Sequence, residues 1–351
     1  MKGSGFHLPA LKGGLLALLA AALFGVSTPL VQRLGMGLGP FTTAALLYAG
    51  AAIIGALLRQ QGDREARVLR SDVPRLVAIA AFGSVLAPVT LAWGLHRTSG
   101  TSASLMLTLE ALFTALLAWR LHGESMDNRV RSAMLILVAG GALLVMDQGF
   151  SGGAQLLGLV AVLTAAAAWG TDNALSRGLA ERDPGQVVLI KSGLGASATG
   201  ALAFLAGEPA PGVLAAAGLL AVGATGYGLS LRFYLLAQRA FGAARTGSVF
   251  AFAPFIGALL AFVLGDRSAG WGMVAGGLLM LAGVVVHLAE SHGHEHEHEA
   301  LEHAHAHRHD DGHHDHHHDD MPVGPHSHWH RHEPVRHAHA HVPDVHHTHR
   351  H

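Results

Sequence analysis

The chain has 351 residues, of which 50% are hydrophobic and only 13% are charged. This excludes an ordinary soluble domain, which carries about 25% charged residues. The formal net charge of -1 hides a split, because residues 1–290 carry 19 Lys and Arg against 13 Asp and Glu, whereas residues 291–351 carry 4 against 11, together with 24 of the 28 histidines. Cysteine is absent, which excludes disulfides and thiolate metal sites.

Ten apolar segments follow one another before the polar tail. They cover residues 11–31, 41–58, 76–95, 101–121, 130–146, 155–176, 186–206, 213–236, 244–264 and 271–289. Each is close to the roughly 20 residues that an α-helix needs to cross a bilayer. Glycine occurs 45 times, and small residues allow helices to pack closely in lipid. The sequence therefore predicts an all-α membrane protein with ten transmembrane helices.

The fourth and ninth segments belong to an internal repeat. Residues 97–124 (RTSGTSASLMLTLEALFTALLAWRLHGE) align without a gap with residues 239–266 (RAFGAARTGSVFAFAPFIGALLAFVLGD) at a spacing of 142. Phe24 and Gly25 in the first segment correspond to Trp169 and Gly170 in the sixth, so we expect the first segment to be a retained helix and not a cleaved signal peptide. A repeat at this scale fixes the architecture. It predicts two five-helix repeats, at residues 1–148 and 149–290, followed by a tail at residues 291–351.

The positive charges of the loops predict the orientation. If the N-terminus is cytoplasmic, 16 of the 19 Lys and Arg residues before residue 291 lie on the inner side, and only Arg33, Arg97 and Arg267 lie outside. Because five helices per repeat is an odd number, the two repeats enter the membrane in opposite directions, as in many secondary transporters. We expect a multi-pass protein of the inner (plasma) membrane with both termini in the cytoplasm.

Several short motifs accompany this pattern: Trp169-Gly170 in the sixth segment, LEALFTALLAWRLHGE closing the fourth and APFIGALLAFVLGD closing the ninth. Together with the five-plus-five arrangement, they resemble the EamA group of the drug/metabolite transporter superfamily over about residues 10–290. Glu110 departs from that group, because it lies where a proline region is more usual, whereas the ninth segment keeps Pro254. The resemblance implies secondary transport by alternating access, usually export of small metabolites, without ATP and without enzymatic activity. The chain has no GxxxxGK[ST] phosphate loop.

Polar residues inside apolar segments are costly, and each is a candidate for the substrate or ion pathway. Glu110 lies near the middle of the fourth segment, where it could bind a coupling proton. The alternative is that Glu110 stays neutral and hydrogen-bonds a neighbouring helix. The candidate pathway residues are Glu110, Thr114, Trp169, Asp172, Asn173, Tyr227 and Pro254.

Other polar residues have simpler explanations. Asp172 and Asn173 lie nearer the cytoplasmic end, where a solvated helix terminus is the alternative to a pathway role. Lys191 and Arg232 are expected to extend their side chains to the inner face. Pro29, Pro88 and Pro254 mark possible kinks, which are tolerated when neighbouring helices satisfy the freed backbone groups.

The tail is too polar to form a core, and we expect it to be disordered. Its His-x-His spacing would place alternate imidazoles on one side of an extended strand. Imidazole and carboxylate without sulfur favour divalent Zn, Ni, Co or Cu. The candidate ligands are His294, His296, His298, His303, His305, His307, His337, His339 and His341. The alternative is a solvated or pH-responsive tail without a specific ligand.

Two functions remain open at this point. One is an exporter of a small metabolite or drug-like solute, with a tail that binds metal. The other is a transporter of Ni, Co or Zn that the tail feeds or regulates, although His96, His122 and His287 all lie near segment ends. A metal sensor or buffer without transport would not need the repeat. Beyond substrate, lipid and a coupling proton, a homodimer is one possible assembly; no nucleic acid and no required cofactor are expected.

Overall fold

The computed structural model describes residues 8–59, 65–122, 128–149, 153–179, 182–241, 243–268, 270–288, 292–297, 301–307, 326–332 and 336–341. The α-helices are α1 (Leu8–Leu34), α2 (Pro40–Leu58), α3 (Val73–Ile79), α4 (Ala87–Leu95), α5 (Gly100–Met106), α6 (Leu109–His122), α7 (Asn128–Gly149), α8 (Gly153–Ser176), α9 (Pro184–Leu205), α10 (Val213–Val222), α11 (Ser230–Phe241), α12 (Ala243–Phe250), α13 (Ala253–Val263) and α14 (Trp271–Leu288). Short 3-10 helices lie at Arg70–Asp72 and Arg177–Leu179.

Among these residues, nine helical spans are long and apolar enough to cross a membrane. In chain order they are Gly13–Leu34, Pro40–Leu58, Arg70–Leu95, Gly100–Leu121, Asn128–Asp147, Gly153–Leu179, Pro184–Leu205, Val213–Arg239 and Thr246–Val263. A shorter apolar helix follows them, with its apolar stretch at Trp271–Val286. The predicted helical membrane architecture is therefore confirmed for nine of the ten segments, and the described part of the tenth segment forms α14.

Two of the spans contain a π-helix in place of regular α-helix. The first lies at Ala80–Leu86 in the third span and the second at Gly223–Leu229 in the eighth. They begin 143 residues apart, so they occupy equivalent places in the two halves. Single-turn π insertions are uncommon and frequently mark functional sites. Pro88 lies just beyond the first of them, where its missing N–H suits an altered helix.

The fourth and ninth spans are each broken in the middle. Helix α5 ends at Met106 and α6 begins at Leu109, while α12 ends at Phe250 and α13 begins at Ala253. Pro254 lies in the first turn of α13, a position that needs no N–H donor. By contrast, Pro29 lies inside α1, which continues as one helix to Leu34 without a break.

The helices of the two halves pack against one another in matching pairs. Helix α2 packs on α9 and α7 on α14, while α1 packs on α11 and α13 in the same way that α8 packs on α4 and α6. Close approach at two glycines explains part of this. A Cβ on Gly25 would lie 2.3 Å from the Ala253 oxygen, and one on Gly170 would lie 2.6 Å from the Phe113 Cβ. At equivalent places in the two halves, the helices thus approach too closely for any residue larger than glycine.

The tail contains four short strands, where disorder was predicted. They are β1 (His292–Glu297), β2 (Leu301–His307), β3 (His326–His332) and β4 (Arg336–His341). β1 pairs with β4 and β2 with β3, both antiparallel. The difference has a physical reason, because the His-x-His pattern has the two-residue period of a strand, which competes with the preference of a polar composition for disorder.

Candidate functional site

A cavity of about 50 Å³ lies between the two halves. Its walls are formed by Phe24, Tyr48, Glu110, Trp169, Asp172, Asn173, Lys191, Gly226, Tyr227, Ser230, Leu231, Tyr234 and Phe250. A cavity needs about 10–15 Å³ of this kind of space to hold one water molecule. In this conformation the space therefore suits a few waters, and a metabolite would require the helices to move apart.

The break in the fourth span positions Glu110. Because α6 begins at Leu109, Glu110 lies in its first turn, where the helix dipole stabilises a negative charge. The side chain is buried, at 9% exposure, and its Oε1 accepts a hydrogen bond of 2.6 Å from Nδ2 of Asn173 on α8. The two halves of the chain thus meet in a carboxylate–amide contact at the cavity wall.

A second carboxylate lies in the same cavity and forms a buried ion pair. Asp172 Oδ2 accepts a hydrogen bond from Nζ of Lys191, and Asp172 Oδ1 accepts one of 3.2 Å from Ser176. Asp172 and Lys191 are each only 3% exposed. They lie seven residues inside the helical spans that end at Leu179 and begin at Pro184, about 10 Å along each helix.

This pair corrects two expectations. Lys191 was expected to reach the inner face, but its ammonium group is buried against Asp172, which offers it a partner inside the protein. For Asp172, a position at a solvated helix end was the alternative to a pathway role, but the residue lies inside the packed helices. Arg232 does reach a helix end, where Nη1 donates to the Leu58 oxygen at 3.0 Å.

The first π-helix supplies a backbone acceptor to the cavity wall. The Gly83 carbonyl accepts hydrogen bonds from Nε1 of Trp169, at 3.0 Å, and from the Tyr48 hydroxyl. A Cβ on Gly83 would lie 2.2 Å from Asp172 Oδ2, so only glycine allows this approach. The π-helix, the tryptophan and the ion pair therefore form one packed unit.

Aromatic rings complete the wall. Phe24 packs edge-on against Trp169, with ring centroids 5.3 Å apart, and against Tyr227 at 5.8 Å. Tyr48 and Tyr227 are 5.5 Å apart. Such edge-to-face contacts are worth about 0.5–1.5 kcal/mol each beyond simple burial. The cavity therefore combines a rigid aromatic surface with buried carboxylates and one ammonium group.

The structure brings together most of the predicted pathway residues. Glu110, Trp169, Asp172, Asn173 and Tyr227 line the cavity. Two predicted residues do not line it. The Thr114 hydroxyl donates to the Glu110 carbonyl at 2.9 Å on its own helix, and Pro254 is buried at the start of α13.

Sequence reasoning missed several lining residues. Phe24, Tyr48, Lys191, Tyr234 and Phe250 were not among the predicted pathway residues. One usable signal was composition, because the chain has only 3 tyrosines and all of them lie in this wall. The other was Lys191 itself, a single cation within an apolar segment.

Ion pairs join the loops nearest to the buried pair. Arg182 Nε lies 2.9 Å from Asp72 Oδ2, and Arg239 Nη1 lies 2.7 Å from Glu65 Oε2. The Asp183 amide also donates to the Ala66 oxygen at 2.8 Å. Burial raises the pKa of Glu65, although the neighbouring Arg239 opposes that change. These contacts tie the loop after α2 to the loop after α8 and to the end of α11.

The opposite ends of the helices are joined differently. Glu208 accepts a hydrogen bond of 2.6 Å from the Thr42 amide, and Asp266 accepts one of 2.9 Å from the Thr101 amide. Burial acts to raise the pKa of Asp266, but hydrogen bonds from Ser268 and Thr101 hold it below its ordinary value. Here carboxylates bind helix N-termini, whereas side-chain ion pairs join the other end.

The predicted tail ligands fall mainly in the strands. His294 and His296 lie in β1, and six others lie in β2 or β4: His303, His305, His307, His337, His339 and His341. His298 lies outside the described residues. Among the side chains that the structure describes, no group of three or more His, Asp or Glu forms a metal site.

Comparison with known proteins identifies the family. The model of the EamA-like transporter family matches the chain twice, at residues 11–146 and 156–289. An uncharacterized transporter of Methanothermobacter thermautotrophicus is 26% identical over 302 residues, which cover 80% of this chain and 88% of the relative. A crystal structure of another protein is similar in fold, with a TM-score of 0.59 and 18% identity over 79% of this chain and 97% of that chain. With both halves matched, this multi-pass membrane protein belongs to the EamA-like transporter family.

Proposed function

We propose that the protein is a secondary transporter that exports a small metabolite or drug-like solute through the cavity between its two halves. The observation that carries this proposal is the cavity wall itself, in which Glu110 and the Asp172–Lys191 pair lie buried among aromatic rings. Ionisable groups within a membrane are expensive, and they usually mark a substrate or ion path. A solute with an apolar part and a polar or charged part fits this mixture of groups.

The proposed architecture is ten membrane-crossing helices in two inverted repeats. The family model matches once in each half, and the helix pairs and π-helices recur at equivalent places, which supports the repeat. With five helices per repeat, the second repeat runs in the opposite direction. Substrate sites of such transporters lie where the repeats meet, and this cavity lies there.

Alternating access would then open one end of the cavity at a time. The ion pairs Arg182–Asp72 and Arg239–Glu65 would close the cytoplasmic end and would have to separate before a solute enters. The carboxylate contacts of Glu208 and Asp266 with helix N-termini would hold the outer end. Proton binding at Glu110 would couple these movements to the proton gradient.

The alternative is transport of Ni, Co or Zn, with the tail collecting the ion. Within the cavity wall, however, Glu110 and Asp172 already accept hydrogen bonds from nitrogen groups, and the lining residues given above include no histidine. Flux into and out of membrane vesicles, screened with amino acids and with divalent metals, decides between the two. Metal flux without organic-solute flux would favour the alternative.

Both termini are expected in the cytoplasm, because 16 of 19 basic residues of the body then lie inside. A reporter enzyme that works only in the cytoplasm should be active when fused after Glu290. A second reporter, active only outside, should be silent at that position and active after Gly207, in the loop after α9. The reverse pattern would contradict the proposed orientation.

The tail is expected to bind divalent metal without being part of the transport path. Deleting residues 292–351 should leave an inserted protein that still moves its solute, because the family model ends at residue 289 and the helices of the two halves pack on one another. The deletion should remove metal binding, measured by calorimetry with the full chain as reference, and any effect of metal on transport. Because the tail is joined to the helices, its ligands stay at a high effective concentration near that junction, of about millimolar order for a short linker. Loss of all transport on deletion would instead make the tail part of the mechanism.

A further inference from the structure

The strand pairing of the tail places histidine opposite histidine. In β1 and β4, the register partners are His292 with His341, His294 with His339 and His296 with His337. In β2 and β3, they are His303 with His330, His305 with His328 and His307 with His326. Twelve histidines are thus matched in six cross-strand pairs, three in each two-stranded sheet.

This register also puts the histidines of each sheet on one face. Successive residues of a strand point to opposite faces, so partners that recur at every second position share a face. The intervening positions pair other residues, such as Glu295 with Ala338 and Glu302 with Arg331. Directly opposed residues have Cβ atoms about 4.5–5.5 Å apart, a separation at which two imidazoles can bind one ion.

We propose that each two-stranded sheet is a divalent transition-metal site built from its register-paired histidines, so that β1–β4 and β2–β3 load as two separate units. This inference rests on the proposal that the tail binds metal, and it adds which histidines act together. Imidazole ligands suit Zn, Ni, Co and divalent Cu. Two histidines of a single strand would lack the ligands of the opposite strand and would bind the ion more weakly.

Metal binding would also hold the tail in its folded-back form. The pairing is nested, because the first strand pairs with the last and the second with the third. A two-stranded sheet alone is at best marginally stable in water. Ions held across the strands would add binding free energy to folding, as structural metals do. The tail would therefore close on itself when metal is present and open when metal is removed.

Two variants that each lack six histidines test this arrangement. The same-sheet variant carries alanine at His292, His294, His296, His337, His339 and His341. The cross-sheet variant carries alanine at His292, His294, His296, His326, His328 and His330. The full chain in detergent is dialysed against buffered Zn(II), and bound zinc is measured by mass spectrometry. A variant that lacks all twelve paired histidines defines the background from the rest of the chain.

The same-sheet variant should keep about half of the zinc above background, because β2–β3 remains complete. The cross-sheet variant should keep almost none, since each sheet has lost one strand of ligands and about tenfold or more in affinity, the loss that even outer-shell changes produce. Equal zinc in the two variants would overturn the paired sites while leaving a metal-binding tail. No zinc above background in the unmodified chain would overturn both. Solute flux, measured in parallel, is expected to stay unchanged in every variant and reports on the transport proposal separately.

Discussion

Replacing Glu110 by glutamine should abolish proton-coupled transport while the protein is still produced and inserted. Glutamine preserves the shape of the side chain and an oxygen that can accept the hydrogen bond from Asn173. It removes the one property that a coupling residue needs, the gain and loss of a proton. Flux of the identified solute is measured in proteoliposomes with an imposed pH gradient, and thermal unfolding in detergent confirms that the variant is folded.

Glu208 provides a matched control for this change. It is also a carboxylate that accepts hydrogen bonds across the two halves, but it binds the amides of Phe41 and Thr42 at a helix N-terminus, away from the cavity. Replacing Glu208 by glutamine weakens a contact that is proposed to hold the outer end, so the transport rate should change, but the dependence of transport on the pH gradient should stay intact. If the Glu110 variant transports at the normal rate over a range of pH, Glu110 is a packing residue and the coupling group lies elsewhere.

Hydropathy was enough to predict the helical spans, because crossing a bilayer imposes both length and composition. The repeat around residues 97–124 and 239–266 likewise indicated that the two halves are related. The break of the ninth span lies just before Pro254, one of the three prolines at which a kink was expected. The break of the fourth span, between Met106 and Leu109, was not predicted, because Leu107 carries no local signal for it.

The sequence predicted only some of the residues of the site, because the others depend on how the helices pack. Glu110, Trp169, Asp172 and Asn173 stand out as polar or motif residues within apolar segments. The partner of Asp172 could not be read from the same information, because Lys191 is 19 residues away on another helix. A lysine seven residues from a helix end is equally able to reach water or a buried carboxylate, and the packing of α8 and α9 decides between these outcomes.

The backbone part of the site gave no sequence signal. The Gly83 carbonyl became an acceptor for Trp169 and Tyr48 because the third span adopts a π-helix, and glycine residues are common throughout this chain. In the tail, the two-residue period indicated how strands would present histidines, but composition favoured disorder. The pairing of His294 with His339 follows from the register, which no local pattern specifies.

Replacing only one residue of the Asp172–Lys191 pair should lower the stability of the protein far more than replacing both residues. Replacing Lys191 by methionine leaves the Asp172 carboxylate buried with only Ser176 as a partner. The loss of one member of a buried ion pair costs about 3–5 kcal/mol, whereas replacement of both by uncharged groups of similar size is often neutral or stabilising. The single variant should therefore unfold at a clearly lower temperature, and the double variant with asparagine at 172 should recover most of the loss.

Transport measurements on the same variants show whether the Asp172–Lys191 pair only stabilises the fold or also takes part in solute binding. If the pair takes part in solute binding, the double variant should be as stable as the unmodified protein and yet transport poorly. Replacing Glu65 by glutamine serves as the control, because its pair with Arg239 is more exposed, at 15% and 20%, and its loss should cost less stability. Thermal unfolding and solute flux are measured on all four proteins. A double variant that is both stable and fully active would show that the buried pair serves packing alone, and the cavity would then depend on Glu110 and its aromatic wall.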